Sequence, residues 1–253
     1  MGKLTILSRK TGVTELAVDA VWHDAANTAL DTVLKPAATS LADRCTAIWS
    51  TARTIAGKAL GSIKLLERSL GVPGSNYAAG SIATKNLELA KKCFELFWGP
   101  VTVTRVADLK ERMNYLKKAF MDDFTVRLIT PQPVGSTTKA SVRVSHKASA
   151  VGAGDHAKRI KFFANLVESG KFDDQGINSM AGTLLHEMSH LVLVTVDKVY
   201  SAKKCLELDV DERIVNADNY KYYIELFQYR DLNVGLTALS KSSADLSHVA
   251  PED

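Results

Sequence analysis

The run Gly182-Thr183-Leu184-Leu185-His186-Glu187-Met188-Ser189-His190 decides how the rest of this chain is read. On an α-helix, residues i and i+4 lie one above the other, so His186 and His190 carry their imidazoles to one point in space. Zinc takes such a pair as half of a tetrahedral ligand set. Glu187, one position past the first histidine, sits beside that point, where it can take a proton from a metal-bound water. The bland alternative is a surface helix that happens to carry two histidines. Against it, Ile177, Ala181, Leu184, Met188 and Leu191 form an apolar stripe that places both histidines on the other side of the same helix. The pattern is the equipment of a metallopeptidase.

Working outward, the upstream chain is mostly helical in pattern. Val18, Val21, Trp22, Ala25 and Ala29 recur at helical spacing until Pro36. Leu41, Cys45, Ile48, Ala52, Ile55, Ala59, Ile63, Leu66 and Leu70 alternate four- and three-residue steps, which describes one long helix or two collinear ones ending at Gly71-Val72-Pro73-Gly74. The alanines in that seam favour a core or bundle helix over a free coiled coil. Another helix is expected from about Ile82 to Phe97, stopped by Gly99-Pro100, and a further one carries Val106, Leu109, Met113, Leu116 and Phe120. The period then changes to two. Phe124 to Thr130 and Ala140 to Ser145 read as strands about a Pro131-to-Ser136 turn, and Arg159 to Phe163 as a third. A last helix is expected over roughly Glu212 to Tyr229, before a frayed tail from Lys241.

The chain has 253 residues with 46% hydrophobic and 24% charged side chains, enough for a substantial core. Its net charge of +4 comes from lysines and arginines scattered singly or in short pairs. No basic stripe interleaved with aromatics is present, which argues against a nucleic-acid partner. Three cysteines, Cys45, Cys93 and Cys205, are too few and too dispersed for a disulfide framework, and fit synthesis in a reducing compartment. The apolar run near Met1 is too short for a signal peptide, and no stretch is long enough to span a bilayer. Synthesis in the cytosol is therefore expected. Signal-independent export as an effector or toxin, with a secretion-system carrier as partner, stands beside an intracellular housekeeping role.

Two histidines and a water leave one protein ligand to find. A metzincin would place a glycine and a third histidine where this chain has Leu193 and Val196. A thermolysin-like gluzincin would use a glutamate about twenty residues downstream, where Glu207 and Glu212 are available. A third option is an aspartate shortly after the helix, and Asp197 stands there.

Three ordered motifs bear on that choice: Gly182-Thr183 to His190, then Thr195-x-Asp197-x-x-Tyr200, then Asn216-Ala217-Asp218-Asn219-Tyr220. Together they resemble the aspzincin family of deuterolysins and peptidyl-lysine metalloendopeptidases, and a looser likeness runs from about Ile82 to Tyr229. The resemblance implies one catalytic Zn2+ held by His186, His190 and Asp197. It also implies Glu187 as the base, Tyr200 as a donor to the developing oxyanion, and Asp218 in the substrate pocket or behind a ligand. The chain departs from the family pattern at Val194 and Ser201, where the family has glycine. Lys221 stands where lysine-selective members carry an acidic residue, so lysine selectivity is not implied.

The expectation is an α+β, zincin-like peptidase with a short mixed sheet above the active-site helix. Residues 1–75 would form a helical N-terminal extension, 76–240 the peptidase domain and 241–253 a flexible tail. Its partner would be a peptide or protein substrate, hydrolysed by a Glu187-activated, zinc-bound water. The rivals are a gluzincin-like peptidase using Glu207 or Glu212, and a helical binding or adaptor protein with a structural or vestigial zinc site.

Overall fold

Alanine decides how closely the long helix packs. In α1 (Leu41–Gly71) the stripe residues Ile48, Ala52, Ile55, Ala59, Ile63 and Leu66 are all buried, while Leu70 at its end is partly exposed. Small side chains at every second contact let α3 (Val103–Ala119) and α4 (Met180–Leu193) approach along its length. The computed structural model describes the backbone of residues 4–9, 16–19, 41–71, 82–120, 124–129, 140–142, 159–163 and 176–245, and the side chains of 47–71, 84–120 and 176–241.

α2 (Ile82–Trp98) ends at Gly99, whose left-handed φ of 72° and crowded surroundings leave no room for a side chain. α3 starts at Thr102, which accepts the Arg105 N–H at 3.2 Å, and buries Val106, Leu109, Met113 and Leu116. Trp49 meets Phe120 edge-to-face at 4.9 Å, and Lys110 pairs with Glu67 across the α1–α3 seam. Trp98 closes the other end of the core, its ring tilted against Tyr220 at 5.0 Å and edge-to-face with Tyr223 at 5.5 Å between centroids.

The strands β1 (Leu4–Arg9), β2 (Leu16–Asp19), β3 (Phe124–Ile129), β4 (Ala140–Val142) and β5 (Arg159–Phe163) form a mixed sheet in the order β2-β1-β3-β5-β4. β1, β3 and β5 are parallel; β2 and β4 are antiparallel edges. β4 and β5 are the strands that lie against α4. Of the strands, β1 and β2 were not apparent in the sequence pattern. Val18, expected to open a helix, lies in β2; the remainder of that expected helix, and residues 143–145 of an expected strand, fall outside the described residues.

β1 pairs with β3 in register Leu4 with Phe124, and α1 shares one buried cluster with α3 and α4. The helix expected over Glu212 to Tyr229 is instead broken into α6 (Val210–Arg213), α7 (Ala217–Glu225) and a 3-10 turn (Leu226–Gln228), following the short α5 (Ala202–Glu207). The break falls at Asn216, whose extended backbone (φ −92°, ψ 126°) bridges to Val196. A final helix, α8 (Leu232–Asp245), continues past Lys241, where the tail was expected to begin.

Candidate active site

α4 is buried on every side from Met180 to His190, so its histidines face protein rather than solvent. Its first turn is closed by Ser179, whose hydroxyl accepts the Gly182 N–H at 3.0 Å and donates to Glu225 Oε1 at 2.8 Å. The same carboxyl group accepts the Ser179 and Asn178 N–H groups at 2.8 and 3.1 Å, satisfying donors at the start of the helix. A Cβ on Gly182 would lie 1.9 Å from Glu225 Oε1, which explains the glycine that opens the motif.

Each imidazole is fixed from behind. His186 Nδ1–H donates to Asp218 Oδ1 at 2.6 Å, and His190 Nδ1–H to the Thr195 carbonyl at 2.8 Å. These bonds set the tautomer and leave both Nε2 lone pairs pointing forward. They face each other at 3.1 Å, and Asp197 Oδ1 lies 3.1 Å from His186 Nε2 and 3.2 Å from His190 Nε2. Tetrahedral zinc with bonds of about 2.0–2.1 Å needs ligand atoms about 3.3 Å apart. The triangle therefore has the size and donor chemistry of three zinc ligands, and among the described residues no other His, Cys, Asp or Glu cluster does.

The electrostatics agree. Burial works against a charged His186, yet the Asp197 and Asp218 carboxylates outweigh it and raise its pKa to about 9. His190 is raised in the same way, burial being outweighed chiefly by Asp197. Asp197 is held well below the usual carboxylate range because, against its partial burial, both imidazoles bond to it. The Asp197 carboxylate thus stays ionised and stabilises positive charge on the two imidazoles that face it.

Asp197 reaches this point through a loop with two unusual backbone positions. Val194, the C-cap of α4, adopts φ 57°, ψ 38°, and Ser201 adopts φ 76°, ψ 144°. Both are conformations that glycine takes without cost, and they are the two positions where the sequence departs from the family's glycines. The loop is pinned from the other side. Val196 N–H donates to the Val215 carbonyl at 2.8 Å, Ala217 N–H donates to Val196 O at 3.1 Å, and Asn216 Oδ1 accepts the Lys198 and Val199 N–H groups at 3.0 and 3.3 Å.

Glu187 is 5% exposed, and burial raises its pKa against the lowering influence of His186 and His190. Tyr200 lies 58% exposed, its ring stacked on His186 at 6.3 Å between centroids. Partial burial and then the Asp197 carboxylate raise its pKa, so the phenol keeps its proton.

Asp218, expected in the substrate pocket or behind a ligand, is 3% exposed and accepts from His186 Nδ1 at 2.6 Å. The gluzincin alternatives are not at the site: Glu207 is exposed on α5, and Glu212 pairs with Lys198 at 2.8 Å. The quoted motifs contain Asn216 and Thr195 but not what they hold: Asn216 Oδ1 accepts loop N–H groups, and the Thr195 carbonyl fixes His190; Glu225 gave no signal in the sequence. Cys93 and Cys205 are both free and buried, and burial pushes the Cys93 thiol up to about 11.

Residues 143–225 match the profile of the aspzincin family M35, described as lysine-specific metallo-endopeptidase. Among solved structures the chain is similar to a zinc peptidase from Grifola frondosa, at 18% identity and a TM-score of 0.46, over 72% of this chain and 97% of that one. No curated protein sequence matches.

Proposed function

We propose, from the place of residues 143–225 in the aspzincin family of zinc metalloendopeptidases, that this chain cleaves peptide bonds at a zinc held by His186, His190 and Asp197. The observation that carries the proposal is the three-atom triangle, each side 3.1–3.2 Å, with both imidazoles fixed from behind. Zinc, when bound, supplies a Lewis acid that polarises water and a carbonyl oxygen.

The chain's own residues do the rest. The buried Glu187 carboxylate, with its affinity for protons raised, takes one from the attacking water and passes it to the leaving amine. The Tyr200 phenol, protonated and at the mouth of the site, donates to the carbonyl oxygen as it gains charge. Asp218 and the Thr195 carbonyl hold the two imidazoles in the ligating tautomer. β4 is the antiparallel end strand beside α4 among the described residues, and its outer edge offers main-chain groups to an extended substrate. Lysine selectivity is not part of the proposal, because Lys221 already places an ammonium beside Asp218, with 3.9 Å between them.

Zinc-loaded protein incubated with unfolded casein tests this reading. Cleavage abolished both by a chelator and by Glu187→Ala supports it. A loaded protein that leaves casein intact overturns it in favour of the binding protein with a vestigial site.

A further inference from the structure

Lys221 is a charged residue in a place that normally excludes one. It is 9% exposed. Burying an ammonium costs several kcal/mol unless partners replace its hydration. Here the partners are specific. Nζ donates to Asn178 Oδ1 at 2.9 Å, lies 4.6 Å from the centre of the Tyr222 ring, and stands 3.9 Å from Asp218 Oδ1. Tyr222 donates to the same Asn178 oxygen at 2.8 Å, so the amide that holds the ammonium is itself held.

The Asp218 oxygen nearest the ammonium is the one that accepts from His186 Nδ1. It therefore lies between a metal-facing imidazole and a buried cation. Asp218 and Lys221 stand one turn apart on α7, which puts both side chains on the face that meets α4. A carboxylate this deeply buried, with the His186 Nδ1–H as its other close partner among the described residues, would be poorly compensated without the ammonium.

We infer that Lys221 is a positioning residue of the metal site, its ammonium keeping Asp218 seated against His186 and so fixing the imidazole that faces Asp197 and His190. The inference rests on the zinc-site reading above. It extends the site by one shell, to a residue that touches neither metal nor substrate. It also assigns a role to the position whose charge is opposite to that of the lysine-selective relatives.

Zinc affinity of the full chain, measured by competition with a chromophoric chelator, tests this without reference to activity. Lys221→Gln removes the charge and keeps a hydrogen-bonding side chain, and should weaken zinc binding about tenfold. Lys221→Arg should recover most of that loss. Asp218→Asn supplies the discriminating background: if Lys221 acts through Asp218, adding Lys221→Gln to it should cost no further affinity. The inference is overturned if Lys221→Gln binds zinc like the wild type, or costs the same factor in both backgrounds, as a purely structural role would. Should Lys221→Gln not fold, Lys221→Met takes its place, and failure of both to fold counts against the inference. A wild-type protein that binds no zinc would instead overturn the proposed function itself.

Discussion

The motif helix and the loop that follows it bring His186, His190 and Asp197 to one point by opposite means. In α4 the two imidazoles are consequences of local geometry: four-residue spacing, a capped first turn and complete burial leave them one arrangement. From Val194 to Ser201 nothing local favours the observed path. Two non-glycine residues hold positive φ, Val194 is 69% exposed, and Asp197 reaches its position because Asn216 and the Val196 bridge pull the loop back onto α7. A helix can specify two ligands by itself; the third is specified by tertiary contacts that also bear the strain.

The largest effect should come from the helix. Glu187→Gln is expected to lower kcat about 10³-fold, with zinc content unchanged when measured by elemental analysis. Loss of metal in that variant would mean that Glu187 acts as a ligand and that the division between helix and loop is drawn in the wrong place.

The loop should be broken most effectively from outside itself. Asn216→Ala removes the acceptor of two loop N–H groups and the partner of Asn219 and Cys205. A loss of about 2–3 kcal/mol is expected in denaturant unfolding, together with weaker zinc binding. Unchanged zinc affinity would show that the loop holds its path without the clamp.

The strain makes a prediction of opposite sign. Val194→Gly and Ser201→Gly should each raise stability by about 1 kcal/mol, a few degrees in Tm, because left-handed backbone costs a branched or substituted residue about that much more than glycine. A destabilised glycine variant would mean that the side chains at these positions contribute packing that outweighs the backbone cost.

A pH-dependent effect concerns the buried carboxylate under the helix. Burial lifts Glu225 from 4.5 to about 7, against the pull of Lys221 and its hydrogen-bond donors. Between those values the folded protein keeps a proton that the unfolded chain releases. Its contribution to stability is full below pH 4.5 and is lost as pH rises through about 7. Glu225→Gln should flatten that part of the stability profile; an unchanged slope in urea unfolding at pH 5, 6 and 7 would show that the carboxylate is ionised throughout.

The same contrast explains what could be read from the sequence. The apolar stripes of α1 and α3 and the motif of α4 are short-range patterns, and their buried residues follow the spacing closely. The break at Asn216 was not legible, because the helical pattern from Glu212 onward continues through it and only the bridge to Val196 interrupts it. β1 and β2 were missed for a related reason: β1 finds its partner in β3, far along the chain. Asp197 was reachable by resemblance to a family, but its backbone support was not, since Val194 and Ser201 hide the glycine signal that would have marked those turns.

The central claim is that Asp197 completes the metal site, and zinc affinity of Asp197→Ala beside Glu207→Ala and Glu212→Ala tests it most directly. The account predicts a loss of about 100-fold or more for Asp197→Ala, with both glutamate variants binding zinc like the wild type. Asp197→Ala binding zinc as the wild type does, while one of the glutamate variants fails, would contradict it.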